Sequence, residues 1–241
     1  MIPQPLTAPL TCFGNRISGR AMSSSAGKRP EVLWRFIDST GNIRLGQPTD
    51  PKAGRSTDSD IKGLGSAAGI SQFLKETKFN VVKHTPGNEG NPTQPPINVG
   101  DFEITDEVVS AEKLLQPCPV VSQIIGIGLN YRKHADETGN AYPREPIFFF
   151  KSLNAVCQRV GEEIRIPTVC QDPPETDYEV ELAIVIKKAC RDVPNTAEAV
   201  RDVILGYTVG NDVSARRWQG KKGGGQWCQY KSFDTYCPLG P

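Results

Sequence analysis

Residues Thr176-Asp-Tyr-Glu-Val-Glu-Leu-Ala-Ile-Val-Ile186 alternate with the period of a β-strand. Tyr178, Val180, Leu182, Ile184 and Ile186 then share one face, and Glu179, Glu181, Ala183 and Val185 the other. Two carboxylates two residues apart on a strand sit side by side, with Cβ atoms roughly 6.5–7 Å apart. Burying two like charges together is costly unless a cation or a proton is shared between them. The segment is therefore either a solvated strand end or half of a cation site, and the rest of the chain must decide.

At 241 residues the chain is long enough for one large domain or two small ones. Its 28 Lys and Arg against 27 Asp and Glu leave no basic excess for nucleic acid or a membrane surface. No apolar run reaches transmembrane length, so a soluble chain is expected. The seven cysteines contain no CxxC pair and are odd in number, which argues against a disulfide framework or thiolate zinc site and favours a reducing compartment. Residues 1–30 lack Asp and Glu but carry four basic residues and a serine run. That leader fits either a mitochondrial transit peptide or an untargeted disordered segment, with Met22 an alternative start, so an intracellular location, mitochondrial or cytoplasmic, is expected.

From Glu31 the pattern predicts a hairpin, Val32–Asp38 and Asn42–Leu45, turning at Gly41. A polar loop over 47–63 follows, then a short helix over Gly69–Lys78 with Ile70, Phe73 and Leu74 on one stripe. Phe79–His84 reads as a strand, Thr85–Asn98 as an exposed loop, and Ser110–Leu115 as one or two helical turns. These segments form a small N-terminal domain over 31–120, and His84 has no neighbours that suggest a ligand.

Val120–Leu129 reads as a strand whose Gly126-Ile-Gly128 marks close backbone approach rather than dinucleotide binding. Over Asn130–Gly139 a helix would bring His134 and Glu137 together, as a general base or as a solvated salt bridge, with Gly139 as cap. Ile147–Lys151 is an aromatic strand ending in a lysine. Asn195 and Glu198 suggest a capping box for a helix to about Val203, and Ile204–Val209 a strand leading to Asp212. Glu179, Glu181 and Asp212 at strand positions, with two histidines in the chain, suit a hard cation, magnesium or manganese, rather than zinc.

Gly128-Leu-Asn-Tyr-Arg-Lys-His134, Phe149-Phe-Lys151, Asp177-Tyr-Glu-Val-Glu181, Gly206-Tyr-Thr-Val-Gly-Asn-Asp-Val-Ser-Ala-Arg216 and Lys231-Ser-Phe-Asp-Thr-Tyr-Cys-Pro-Leu-Gly-Pro241 resemble, in order and spacing, the motifs of the fumarylacetoacetate hydrolase family, in its acylpyruvase-like branch. The resemblance implies an α+β, mainly β fold: a mixed β-sandwich roll over 121–241 behind the small N-terminal domain, and a homodimer when the domain is complete. It implies that Glu179, Glu181 and Asp212 bind Mg2+ or Mn2+. His134 with Glu137 would activate water, and Lys151, Lys231, Arg216 and Gln219 would surround the substrate, with Lys151 and Lys231 counted among the catalytic groups. The expected substrates are short 2-oxo acids, with hydrolysis of an acylpyruvate carbon–carbon bond first. Oxaloacetate decarboxylation or tautomerisation and isomerisation of 2-hydroxyhepta-2,4-diene-1,7-dioate stand as alternatives. The family often has an acidic residue where this chain has Arg217. Its domain also runs on past Cys237-Pro-Leu-Gly-Pro241, so a domain incomplete at its C-terminal end is expected, and with it a rival reading as an inactive fragment or non-catalytic binding module.

Overall fold

The structure, a computed structural model, describes residues 30, 32–50, 53, 67–84, 102–118, 122–157, 159–220 and 223–240. The leader over 1–29, the loop over 85–98 and most of the loop over 47–63 lie outside the described residues. Among the described residues no helix is long and apolar enough to cross a membrane.

Strands β1 (Trp34–Asp38), β2 (Ile43–Pro48), β3 (Lys78–His84) and β4 (Phe102–Leu115) pair antiparallel in that order, and β4 returns to β1, closing a small barrel. Closure removes the free edges that four short strands would otherwise expose. The expected hairpin turns at Gly41, in the left-handed region at φ 85°. Asp38 caps that turn from inside: its carboxylate accepts from the Thr40 hydroxyl (2.6 Å), the Thr40 and Asn42 amides (2.9 Å each) and Arg44 Nε (2.8 Å). Helix α1 (Ala67–Glu76) lays Ile70, Phe73 and Leu74 against the buried Trp34, Phe36, Phe79, Ala111 and Leu114, as the stripe predicts.

The expected helical turns over Ser110–Leu115 are wrong. That stretch is the second half of β4, with Ser110 opposite Lys78 and Leu115 opposite Arg35. Six residues carry too little periodicity to decide, and β1 and β3 offer hydrogen-bonding partners on both sides, so tertiary pairing overrides local preference.

The second half begins with β5 (Ile124–Gly128), paired antiparallel with β6 (Ile147–Lys151) across helix α2 (Arg132–Glu137). Gly139, at φ 67°, follows the end of that helix, and the Asn140 amide closes back on the Ala135 carbonyl. The glutamate run is not one strand. It breaks at Tyr178 and Glu179 into β7 (Thr176–Asp177) and β8 (Val180–Ile186), which pair with β10 (Ser214–Ala215) and β9 (Ile204–Asn211) respectively. Helix α3 (Ala197–Val203) joins β8 to β9 and is capped by Thr196, whose hydroxyl accepts from the Ala199 amide, rather than by the expected Asn195. Short helices α4 (Arg216–Gln219) and α5 (Trp227–Tyr230) follow β10.

A second core gathers Ala155, Val156, Cys170, Val213, Ala215, Tyr230, Tyr236 and Cys237. The C-terminal segment is stitched to it by bridges of Cys237 to Val156 and Leu239 to Gly210. The alternation of β8 holds, but its apolar row is the open one: Tyr178, Val180, Leu182, Ile184 and Ile186 are each 50–71% exposed. Overall the fold is mainly β with few helices, as expected.

Candidate metal centre

The break in the glutamate run builds the site. The Asp212 amide donates to the Glu179 carbonyl (2.8 Å), and the Glu179 amide donates to Asn211 Oδ1 (3.2 Å). These bonds hold the start of β8 against the end of β9, where Asp212 lies. Carboxylate oxygens of Glu179, Glu181 and Asp212 consequently converge within 4.8 Å of one another.

Three cations answer them. Lys231 is the most enclosed, 1% exposed, and its ammonium donates to Glu179 Oε2 (2.8 Å), Asp212 Oδ2 (2.6 Å) and Ser214 Oγ (2.7 Å). Lys151, buried at the end of β6, donates to Asp212 Oδ1 and to the Val213 carbonyl (3.3 Å). Arg216 grips Asp177 with Nε and Nη2, each at 2.9 Å, and turns Nη1 to Glu179 and to Gln219 Oε1 (3.2 Å). Phe149 lies beneath Lys231, its ring centroid 4.9 Å from the ammonium.

Burial opposes the Asp212 charge, but Lys151 and Lys231 outweigh it and hold its carboxyl below the usual range. Burial lowers the Lys151 ammonium despite Asp212. Glu181 differs from its two neighbours. Among the described residues it has no cation at ion-pair distance, and its carboxyl is pushed up by burial, with the Glu179 and Asp212 charges adding to the push. The nearby Tyr131 hydroxyl partly offsets this push, and its oxygen accepts from the Leu182 amide at 3.1 Å. A half-buried carboxylate beside two others, all hard oxygen donors and one with no ion-pair partner among the described residues, fits a divalent cation.

The structure thus brings together Glu179, Glu181, Asp212, Lys151, Lys231, Arg216 and Gln219. It does not pair His134 with Glu137: both are exposed on α2, and Glu137 faces Lys133 at 3.9 Å. Tyr131, one residue before that helix, is its link to the cluster. Sequence reading missed Tyr131, Asp177 and Ser214. All three stand inside the family-like motifs, but only the folded register shows what they touch. Gly126 and Gly128 behave as read: a Cβ on Gly126 would collide with the Phe149 ring, and one on Gly128 with Trp227.

Residues 123–241 match the family described as fumarylacetoacetate (FAA) hydrolase C-terminal, and this half of the chain belongs to it. Among similar proteins, the fumarylacetoacetate hydrolase domain-containing protein 2 homolog of Dictyostelium discoideum is 48% identical over 144 residues, 60% of this chain and 44% of that protein. A mitochondrial oxaloacetate tautomerase of Xenopus laevis is 45% identical over 130 residues, 53% of this chain and 38% of that one. The chain therefore spans about half the length of these relatives, or less. The crystal structure of 2-hydroxyhepta-2,4-diene-1,7-dioate isomerase from Mycobacterium marinum superposes with TM-score 0.51 at 29% identity, over 87% of this chain and 64% of that one. The 5-carboxymethyl-2-hydroxymuconate delta-isomerase from Mycobacterium smegmatis gives 0.51 at 30% identity over the same shares.

Proposed function

We propose that this chain carries the active site of a divalent-metal enzyme that interconverts enol and keto forms of short 2-oxo acids. One observation carries the reading: Glu179, Glu181 and Asp212 converge on one point, and among the described residues Glu181 has no cation at ion-pair distance. Mg2+ or Mn2+ held by these three would act as a Lewis acid toward the oxygens of a 2-oxo acid. Lys151 and Lys231 contact the same carboxylates, Lys151 through Asp212 and Lys231 through Glu179 and Asp212. The Lys231 ammonium would neutralise negative charge developing on substrate oxygen, and Lys151, whose charged form burial disfavours, would as the neutral amine take the proton from carbon and return it to oxygen. Arg216 and Gln219 lie at the more open rim, suited to a substrate carboxylate. The names of the relatives support this choice, since a tautomerase and two isomerases are among them.

Hydrolysis of an acylpyruvate, the first expectation from sequence, is the second reading. It is favoured by the Tyr131 tether, which holds the helix bearing His134 and Glu137 against β8. Water activation would need His134 to turn toward the cluster. The test is a paired assay of the enol–keto conversion of oxaloacetate and the cleavage of acetylpyruvate, each with Mg2+ or Mn2+. The proposal expects the first to exceed the second and to be lost in Glu181→Gln; cleavage alone would favour hydrolysis.

A further inference from the structure

Arg216 and Arg217 follow each other on α4, and they meet Glu175 and Asp177, two residues apart on the chain entering β7. Arg216 takes Asp177, while Arg217 Nε lies 2.8 Å from Glu175 Oε2. Backbone pairing fixes the spacing: Ser214 is opposite Asp177, Ala215 opposite Thr176, and the Arg216 amide donates to the Glu175 carbonyl at 3.1 Å.

The two pairs differ in burial. The Asp177 side chain is 47% exposed and the Glu175 side chain 6%. A carboxylate so enclosed needs its counter-charge. Neither Glu175 oxygen has a hydrogen bond among the described residues, so the attraction to Arg217 is carried by charge rather than by a directed bond. Arg217 is held further by the Trp218 ring, 5.2 Å below its guanidinium, and by the Val169 carbonyl at 3.3 Å.

We propose that Arg217 and Glu175 form a positioning pair, pinning the corner of β7, β10 and α4 so that the Arg216 guanidinium spans Asp177 and Glu179. The pair touches none of the three clustered carboxylates and acts only through Arg216. Its consequence for catalysis rests on the function proposed above; the positioning itself does not. Without the pin, α4 is free to shift, and Arg216, anchored on an exposed aspartate, loses its fixed reach to Glu179.

The deciding measurement is hydrogen exchange of the Arg216 side-chain Nε–H, followed by NMR on protein labelled with 15N-arginine and assigned with Arg216→Lys. It needs neither metal nor substrate, so failure of the functional reading leaves its outcome intact. In the wild type this proton is expected to be protected. In the neutral pair Glu175→Gln/Arg217→Gln, protection should fall about tenfold, the weight of a charge-assisted hydrogen bond, while the thermal midpoint shows the fold retained. Arg217→Lys, which keeps the charge, should restore most of it. If the neutral pair unfolds, Glu175→Asp is read instead, with partial loss expected. Unchanged protection in the folded variant, or no protection in the wild type, overturns the proposal.

Discussion

Lys231 Nζ stands 2.6 Å from Asp212 Oδ2 in a position where the lysine side chain is only 2% exposed and the aspartate 12%. The same ammonium bonds Glu179, so one buried cation holds two of the three clustered carboxylates together. Removing one partner of such a pair leaves uncompensated charge. Lys231→Gln should therefore destabilise the metal-free protein by about 3 kcal/mol in urea titration, and millimolar Mn2+ should recover part of the loss. A loss near zero would mean that the cluster does not depend on this lysine.

Glu181 gives the opposite sign. Its carboxyl is raised above the ordinary glutamate value, chiefly by burial, so the folded state prefers it protonated. The cost to folding is absent below the ordinary value of 4.5, grows as pH rises from there toward the raised value, and is complete above it. Glu181→Gln should accordingly raise the thermal midpoint of the metal-free protein at pH 7 and remove part of its decline as pH rises above 4.5. A lower midpoint in the variant at neutral pH would contradict the assignment.

Asp38 tests the barrel independently. Four donors, led by the Thr40 hydroxyl and Arg44, hold its carboxyl far below the ordinary value of 3.8. The sign follows: its contribution is complete above that value and is lost as pH falls below it. Asp38→Asn should lower stability at neutral pH and remove part of the acid sensitivity below about pH 4, read from acid titration of Trp34 fluorescence. An unchanged acid limb would show that other carboxylates govern it.

Gly126 provides a steric test. An added Cβ meets the Phe149 ring, and Phe149 lies under Lys231. Gly126→Ala should cost about 1–3 kcal/mol through overpacking and weaken metal binding with it, whereas Gly206→Ala, which meets nothing within 4 Å, should leave metal binding intact.

Much of this was legible in the chain. The carboxylate pair, the glycines of close approach and the stripe of α1 follow from period and residue type, because each is a local consequence of backbone geometry. What escaped depended on partners distant in sequence. Ser110–Leu115 became strand because β1 and β3 flank it. Tyr131 acquired a role because its phenol reaches Leu182, 51 residues on. Arg217 stood out as a departure from its family, but its meaning lies in Glu175, brought opposite by the pairing of β7 with β10. The apolar row of β8 is open in the described structure, since alternation fixes which residues share a face and not what covers it.

The central claim is that Glu179, Glu181 and Asp212 form one divalent-cation site, and Mn2+ titration followed by electron paramagnetic resonance tests it most directly. The account predicts one bound Mn2+ per chain, with binding weakened at least about tenfold in Glu181→Gln, in line with loss of one charged ligand. Equal binding by wild type and Glu181→Gln, or no bound Mn2+ at millimolar concentration, would contradict it.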